Sequence, residues 1–304
     1  MYRETPDAAS TPGCYSGAVP RAAETVTLTT LALIAFAANS ILNRMALAGH
    51  LIDASTFTAV RLASGALVLA VIVSVRAGDL RSLSGRDWRG PLALFAYAVP
   101  FSFAYLRLGA SVGALVLFGS VQLTMISWAL ARGERPTARV WAGLALAAGG
   151  LGGLMLPAAT RPDPVGALLM ITAGIAWGVY SLAGKRATDP LAANARAFLW
   201  ATPLAIGLGL IRIATGAPFA ISARGAALAV ASGAVTSAVG YAIWYRALRG
   251  LTATQAAIVQ LAVPVIAGIG AVVLLGEHPT ERLIVSAVAV LGGLSLVLSR
   301  RPGR

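Results

Sequence analysis

The sequence predicts an all-α polytopic membrane protein of ten transmembrane helices, arranged as two inverted five-helix repeats. Three observations predict it. The 304 residues are 58% hydrophobic and only 12% charged, with a mean hydropathy of +0.79, against about 25% charged residues in an ordinary soluble domain. Apolar runs of about the length that crosses a hydrocarbon core recur along the chain, and in lipid such runs satisfy their backbone as helices. The pentapeptide GERPT at 133–137 returns as GEHPT at 276–280, each time after a long apolar run.

The predicted helices cover 26–47, 55–75, 90–108, 112–131, 138–156, 165–184, 193–213, 225–245, 253–275 and 283–298. Before them, residues 1–25 hold Pro6, Pro12 and Pro20 among charged side chains with no apolar stretch, which reads as a polar tail and not a signal peptide. A short basic tail, 300–304, closes the chain. Orientation follows from the cations. With a cytoplasmic N-terminus, the inner loops and tails collect most of the 24 Lys and Arg, leaving Arg44, Arg61, Arg107, Arg161, Arg212, Arg224 and Arg282 outside. A multi-pass protein of the bacterial inner membrane with both termini cytoplasmic is expected. The net charge of +13 and pI near 11.2 are then a topology signal. No nucleic-acid partner is expected, because the basic residues do not cluster on one soluble face; the lipid bilayer is the surrounding partner.

GERPT joins the fourth predicted helix to the fifth, and GEHPT the ninth to the tenth. The match extends further. Gly149 and Gly150 fall on Gly292 and Gly293, and AFAANSILNRMA at 35–46 falls on AWGVYSLAGKRA at 176–187. That register pairs Ala35 with Ala176, Phe36 with Trp177, Ser40 with Ser181 and Arg44 with Lys185, while Tyr105 corresponds to Tyr245. The chain therefore divides into halves at 26–157 and 164–299. Five is odd, so the second half starts on the opposite side of the membrane, related to the first by an axis in the membrane plane. Inverted repeats of this kind characterise secondary transporters, whose small-molecule substrate sits near the midplane between the halves.

Several chemistries are poorly served. One cysteine, Cys14, lies in the tail, so neither an intramolecular disulfide nor a thiolate metal site can form, and no HExxH motif is present. No cofactor is expected, and no enzyme activity. A membrane-embedded lipid-modifying enzyme, the alternative outside transport, would need acid and base groups near the interface. All 11 acidic residues fall in a tail or near a helix end, and His50 and His278 fall in outer loops. Ion coupling ordinarily uses intramembrane ionisable groups, so a facilitative or weakly proton-dependent carrier is expected, with Glu24 at the mouth as the alternative coupling residue.

The candidate substrate-binding residues are polar or aromatic side chains at depth. Asn39 and Asn43 share one face of the first helix at i and i+4, where they serve either a ligand or a helix-to-helix hydrogen bond. Gln122 and Gln260 lie mid-helix and should face the interior, because lipid cannot satisfy an amide. Tyr97 and Phe101, Trp177 and Tyr180, and Tyr241 and Trp244, with Tyr245 beside them, supply rings for a cavity wall or for ordinary packing and interfacial belts. Together they fit a small zwitterionic or cationic metabolite with an apolar or aromatic side chain. Glu134 and Glu277 read as structural, bonding free backbone groups or a nearby Arg, with Thr137 and Thr280 as N-caps. Gly149, Gly150, Gly152, Gly153, Gly292 and Gly293 allow close helix packing, or else a homodimer interface. Pro100 and Pro264 interrupt the third and ninth helices, where a kink can serve as a hinge.

At FAANS (36–40), GYAIWYRALRGLTATQAAIVQLAVPV (240–265) and the two GE-x-x-T hairpins, the sequence resembles the EamA family of the drug/metabolite transporter superfamily. The resemblance covers about 26–299. It implies ten helices, alternating access and export of amino acids or related metabolites, with the YddG-like exporters of aromatic and hydrophobic amino acids as the comparison. A broad drug or nucleoside-type permease is the alternative within transport. The chain departs from the family pattern at Phe36-Ala37, where Trp-Gly is usual, and at Val121-Gln122, where a proline is common; Pro264 is kept.

Overall fold

The computed structural model describes residues 19–77, 83, 87–108, 110–155, 163–275 and 281–298. Helices run through these residues: α1 (Ala22–Leu47), α2 (Ala54–Ala77), α3 (Arg89–Ala104), α4 (Ala110–Ala131), α5 (Ala138–Met155), α6 (Pro164–Arg186), α7 (Pro190–Ala214), α8 (Ala223–Ala231), α9 (Gly240–Ala247), α10 (Ala253–Val259), α11 (Ala262–Leu275) and α12 (Glu281–Leu298). A π-helical stretch, Ser232–Val239, joins α8 to α9, and only Gln260 and Leu261 separate α10 from α11. The described helices thus form ten rods, the number the sequence predicts. Seven are long and apolar enough to cross a membrane, and Val116–Ala131 is a shorter apolar helix. GEHPT, with Glu277, His278 and Thr280, lies outside the described residues, as does Cys14.

Local chemistry explains several helix starts. Asp163 accepts from Gly166 N at 2.7 Å, and Asp189 from Leu191 N at 2.9 Å and Ala192 N at 3.1 Å, each just ahead of a proline at the first helical position. Thr252 and Gln255 form a reciprocal capping box on α10. The largest departures from the sequence expectation are at two ends and one break. α1 begins at Ala22, inside the segment expected to be a polar tail, and α3 ends at Ala104, short of 108. The ninth rod breaks because Pro264 has no N–H and its ring crowds the Gln260 carbonyl one turn back. Val263 N takes over that carbonyl at 3.1 Å.

Side-chain distribution suits lipid. Leu67, Leu123, Leu168, Leu210, Val235, Val273 and Val288 are exposed on the outside, whereas Asn39, Asn43, Arg61, Gln122, Asn194 and Gln260 are buried. Rods pack in a regular pattern. α2 lies on α7, α4 on α10, and α5 on α12; α3 lies on α6 as α1 lies on α9, and α4 on α6 as α1 lies on α11. Gly143, Gly150 and Gly293 serve that close approach, since a Cβ on Gly143 would run into the Gly293 carbonyl and one on Gly150 into the Ala289 methyl, whereas one on Gly149 or Gly153 would meet nothing within 4 Å.

Candidate substrate site at the centre of the bundle

Four rods bring their aromatic side chains to one point. Phe36 of α1 stands edge-on to Trp177 of α6 at 5.2 Å, to Tyr241 of α9 at 5.7 Å and to Trp244 at 5.6 Å. Tyr97 of α3 lies 4.9 Å from Trp177 and 5.2 Å from Phe101, and Trp177 lies 4.8 Å from Tyr241. These offset and perpendicular geometries are the ones the ring quadrupoles favour. They enclose a cavity of about 30 Å³ lined by Phe36, Asn39, Ser40, Tyr97, Phe101, Leu117, Phe118, Trp177, Tyr241, Gln260 and Val263. Of the residues singled out from sequence, Asn39, Tyr97, Phe101, Trp177, Tyr241 and Gln260 thus come together.

The polar members are tied down by their neighbours. Trp177 Nε1 donates to Gln260 Oε1 at 2.6 Å, and Gln260 Nε2 donates to the Ala256 carbonyl at 2.8 Å. The helix break at Pro264 is what leaves Gln260 at a corner, facing inward. Asn39 Oδ1 accepts from Ser232 Oγ at 2.6 Å, from Thr236 Oγ1 at 3.2 Å and from Asn43 Nδ2 at 3.2 Å. Asn39 therefore makes a helix-to-helix bond while also lining the cavity. Both hydroxyls belong to the π-helical stretch, a local widening frequent at functional sites.

Asn43, Gln122, Tyr180 and Trp244 are buried but do not line this cavity. Asn43 turns its amide back on Asn39, and Gln122 Nε2 donates to the Ala257 carbonyl at 2.7 Å. Tyr180 donates its hydroxyl to Asn194, and Trp244 Nε1 donates to Ser181 Oγ at 3.1 Å. Each has a protein partner one layer out, although Asn43 Oδ1 and Gln122 Oε1 have none among the described residues.

One residue is placed differently from the sequence reading. Arg61, counted above among the outer charges, is buried within α2 at 1% exposure. Its Nε donates to Ser237 Oγ at 2.9 Å and its Nη2 to the Tyr241 hydroxyl at 2.6 Å, with the Tyr97 and Phe101 rings at 5.6 and 6.0 Å. The available signal was its position inside the predicted 55–75 helix, since a cation at that depth points inward toward a partner.

At the end of the bundle that holds Lys185 and Arg246, the polar groups form a collar. Glu24 accepts from Arg246 Nη2 at 2.7 Å, in an ion pair that is partly exposed on both sides. Glu134, from GERPT, accepts from Ala253 N at 2.8 Å, Thr254 N at 3.2 Å and Thr254 Oγ1 at 2.9 Å. A carboxylate on those free N–H groups matches the helix dipole. Thr137 directly precedes α5, its carbonyl accepting from Val140 and Trp141. Lys185 Nζ donates to the Leu248 and Leu251 carbonyls. Beside this collar open two larger cavities, of about 780 Å³ between α3, α6 and α7 and about 1240 Å³ between α1, α10, α11 and α12.

At the opposite end, Asp53 caps α2 through Ser55 N at 3.1 Å and Thr56 N at 3.0 Å, next to an antiparallel bridge between Ile52 and Ile221. Burial opposes ionisation of Asp53, but the bonds from Thr56, Ser55 and Ala220 outweigh it and hold the carboxyl below its usual range.

A helical bundle with an apolar exterior and an aromatic, amide-bearing centre is the make-up of a multi-span membrane protein. Residues 164–299 match the model of the EamA-like transporter family. Uncharacterized protein PA1977 of Pseudomonas aeruginosa is 49% identical over 92% of this chain and 96% of its own length. Uncharacterized transporter YwfM of Bacillus subtilis is 28% identical over 81% of this chain and 84% of its own, and an uncharacterized transporter of Archaeoglobus fulgidus 26% identical over 72% and 78%. A solved structure described as "Crystal structure of protein" superposes with a TM-score of 0.76 at 19% identity, covering 91% of this chain and 98% of that one. Residues 164–299 thus match the EamA-like transporter family, and the chain is similar over most of its length to proteins named as transporters.

Proposed function

We propose that the chain is an alternating-access carrier that exports amino acids, aromatic and hydrophobic ones foremost, or similar small metabolites across the bacterial inner membrane. The observation that carries this reading is the central cavity, where rings from α1, α3, α6 and α9 meet the amides of Asn39 and Gln260. Apolar walls with a few placed polar groups suit a small ligand with an apolar side chain. At about 30 Å³ the cavity is of the order of a water molecule, so substrate enters only when the rods part, which alternating access provides.

The rod packing supports two inverted halves. Exchanging the first five rods for the last five maps the α2–α7, α4–α10 and α5–α12 pairs onto themselves, and α3–α6 onto α1–α9. With five rods per half, the axis relating them lies in the membrane plane and both termini are cytoplasmic. Glu24 is engaged with Arg246 and Glu134 with the start of α10, which favours a facilitative or weakly proton-dependent carrier.

The test is counterflow of labelled amino acids in proteoliposomes, with and without a pH gradient. Exchange of aromatic and hydrophobic amino acids that the gradient leaves unchanged is expected. Accumulation driven by the gradient would assign coupling to a mouth carboxylate such as Glu24, and exchange of none of the amino acids would overturn the substrate class.

A further inference from the structure

Arg61 lies about two turns inside α2, with its Nε and Nη2 bonded to Ser237 and Tyr241 of the eighth rod. Its third nitrogen, Nη1, is buried and has no hydrogen-bond partner among the described residues. The groups that hold it are hydroxyls and rings, all neutral. Ion pairs seen among the described residues, Arg107 with Asp163 and Arg246 with Glu24, lie elsewhere. A guanidinium stays protonated in proteins, so a full positive charge sits here without its counter-charge, and buried charges ordinarily have one.

Three of the four side chains around Arg61, namely Tyr97, Phe101 and Tyr241, also form the wall of the central cavity. The cation therefore borders that cavity behind two tyrosine hydroxyls, which stand 3.5 Å apart. A purely structural tie between α2 and the eighth rod is made by Nε and Nη2 and leaves Nη1 without a use.

We propose that Arg61 is the anion-recognition residue of the central site, and that the transported compound carries a carboxylate beside an apolar or aromatic group. This rests on the central cavity being the substrate site, and it narrows the ligand. A compound bearing only a cation is repelled, whereas a carboxylate supplies the missing charge and accepts from Nη1 and from a tyrosine hydroxyl that turns toward it. Lys185 and Arg246 do not compete for the role, because neither lines the central cavity: Lys185 sits against the Leu248 and Leu251 carbonyls and Arg246 already has its counter-charge in Glu24.

The test uses two probes of one shape that differ in charge. Purified protein in detergent is melted with benzoate or with benzamide at matched ionic strength. Benzoate is expected to raise the melting temperature by a few degrees once its concentration exceeds its Kd, benzamide to leave it unchanged, and Arg61→Gln to abolish the difference. Arg61→Lys keeps the charge without the planar fork and is expected to keep the preference at weaker affinity. Equal shifts by both probes on the wild type, no shift by either, or a preference that survives Arg61→Gln each overturn the proposal; the wild-type comparison decides even where Arg61→Gln does not fold. Counterflow bears on the carrier reading separately. A benzoate preference in detergent without solute exchange in liposomes would count against transport and still support Arg61 as the anion site.

Discussion

Phe36 of α1 and Trp177 of α6 meet at right angles, with ring centroids 5.2 Å apart. They occupy corresponding positions in the two matching stretches, 35–46 and 176–187. The contact is one of those that bring α1 and α6 together at the cavity, and Trp177 also carries the hydrogen bond to Gln260.

Trp177→Phe keeps a ring in place but removes Nε1, leaving Gln260 Oε1 buried without its donor. An orphaned buried acceptor costs about 1–3 kcal/mol. A fall in melting temperature is expected, with slower exchange in proteoliposomes. Adding Gln260→Leu removes the orphan, so a double-mutant cycle read by thermal unfolding should return less than the sum of the two single losses.

Glu134→Ala strips the acceptor from Ala253 N, Thr254 N and Thr254 Oγ1 at once. Losing a helix cap costs about 0.5–2 kcal/mol, and thermal unfolding should register a loss in that range. Glu134→Gln keeps an accepting oxygen and is expected to lose less. An equal loss for both would show that the negative charge, and not the hydrogen bonds, holds this end of α10.

Asp53 makes stability depend on acidity. Its carboxyl is held below the ordinary value of 3.8 in the folded protein, so the unfolded chain binds the proton first as pH falls. The contribution is fully present above about pH 4 and disappears as pH drops through the folded value. Melting curves from pH 7 down to pH 3 should show this acid loss, and Asp53→Asn should flatten it.

Gly233→Ala puts a methyl into the Arg61 carbonyl and the Ser64 hydroxyl, where α2 crosses the π-helical stretch. Backbone cannot yield there, so loss of monodisperse protein on size exclusion is expected, beyond the about 1–3 kcal/mol of ordinary overpacking. Gly119→Ala meets nothing within 4 Å and should be neutral or stabilising, since alanine favours the helix by about 0.5–1 kcal/mol.

Sequence by itself determined the class. Ten apolar runs are written locally, because each must satisfy its own backbone, and so is the inward placement of Gln260 once Pro264 interrupts the turn behind it. The matching stretches put Phe36 and Trp177 at equivalent positions, but equivalence implies no contact, and it is the packing of the rods that sets the two rings against each other. Which polar side chains reach the cavity was not local. Asn39 and Asn43 carry the same signal on the same helix face, yet Asn43 is spent on Asn39; Tyr180 and Tyr241 look alike in sequence, yet Asn194 takes the hydroxyl of the first. Arg61 shows the limit most clearly. Its charge and its place in a helix were legible, but its partners Ser237 and Tyr241 come from the eighth rod, far along the chain. Only the close crossing of α2 and that rod at Gly233 brings them together, and packing between distant segments is what decides whether a buried cation is tied off or left with a donor to offer.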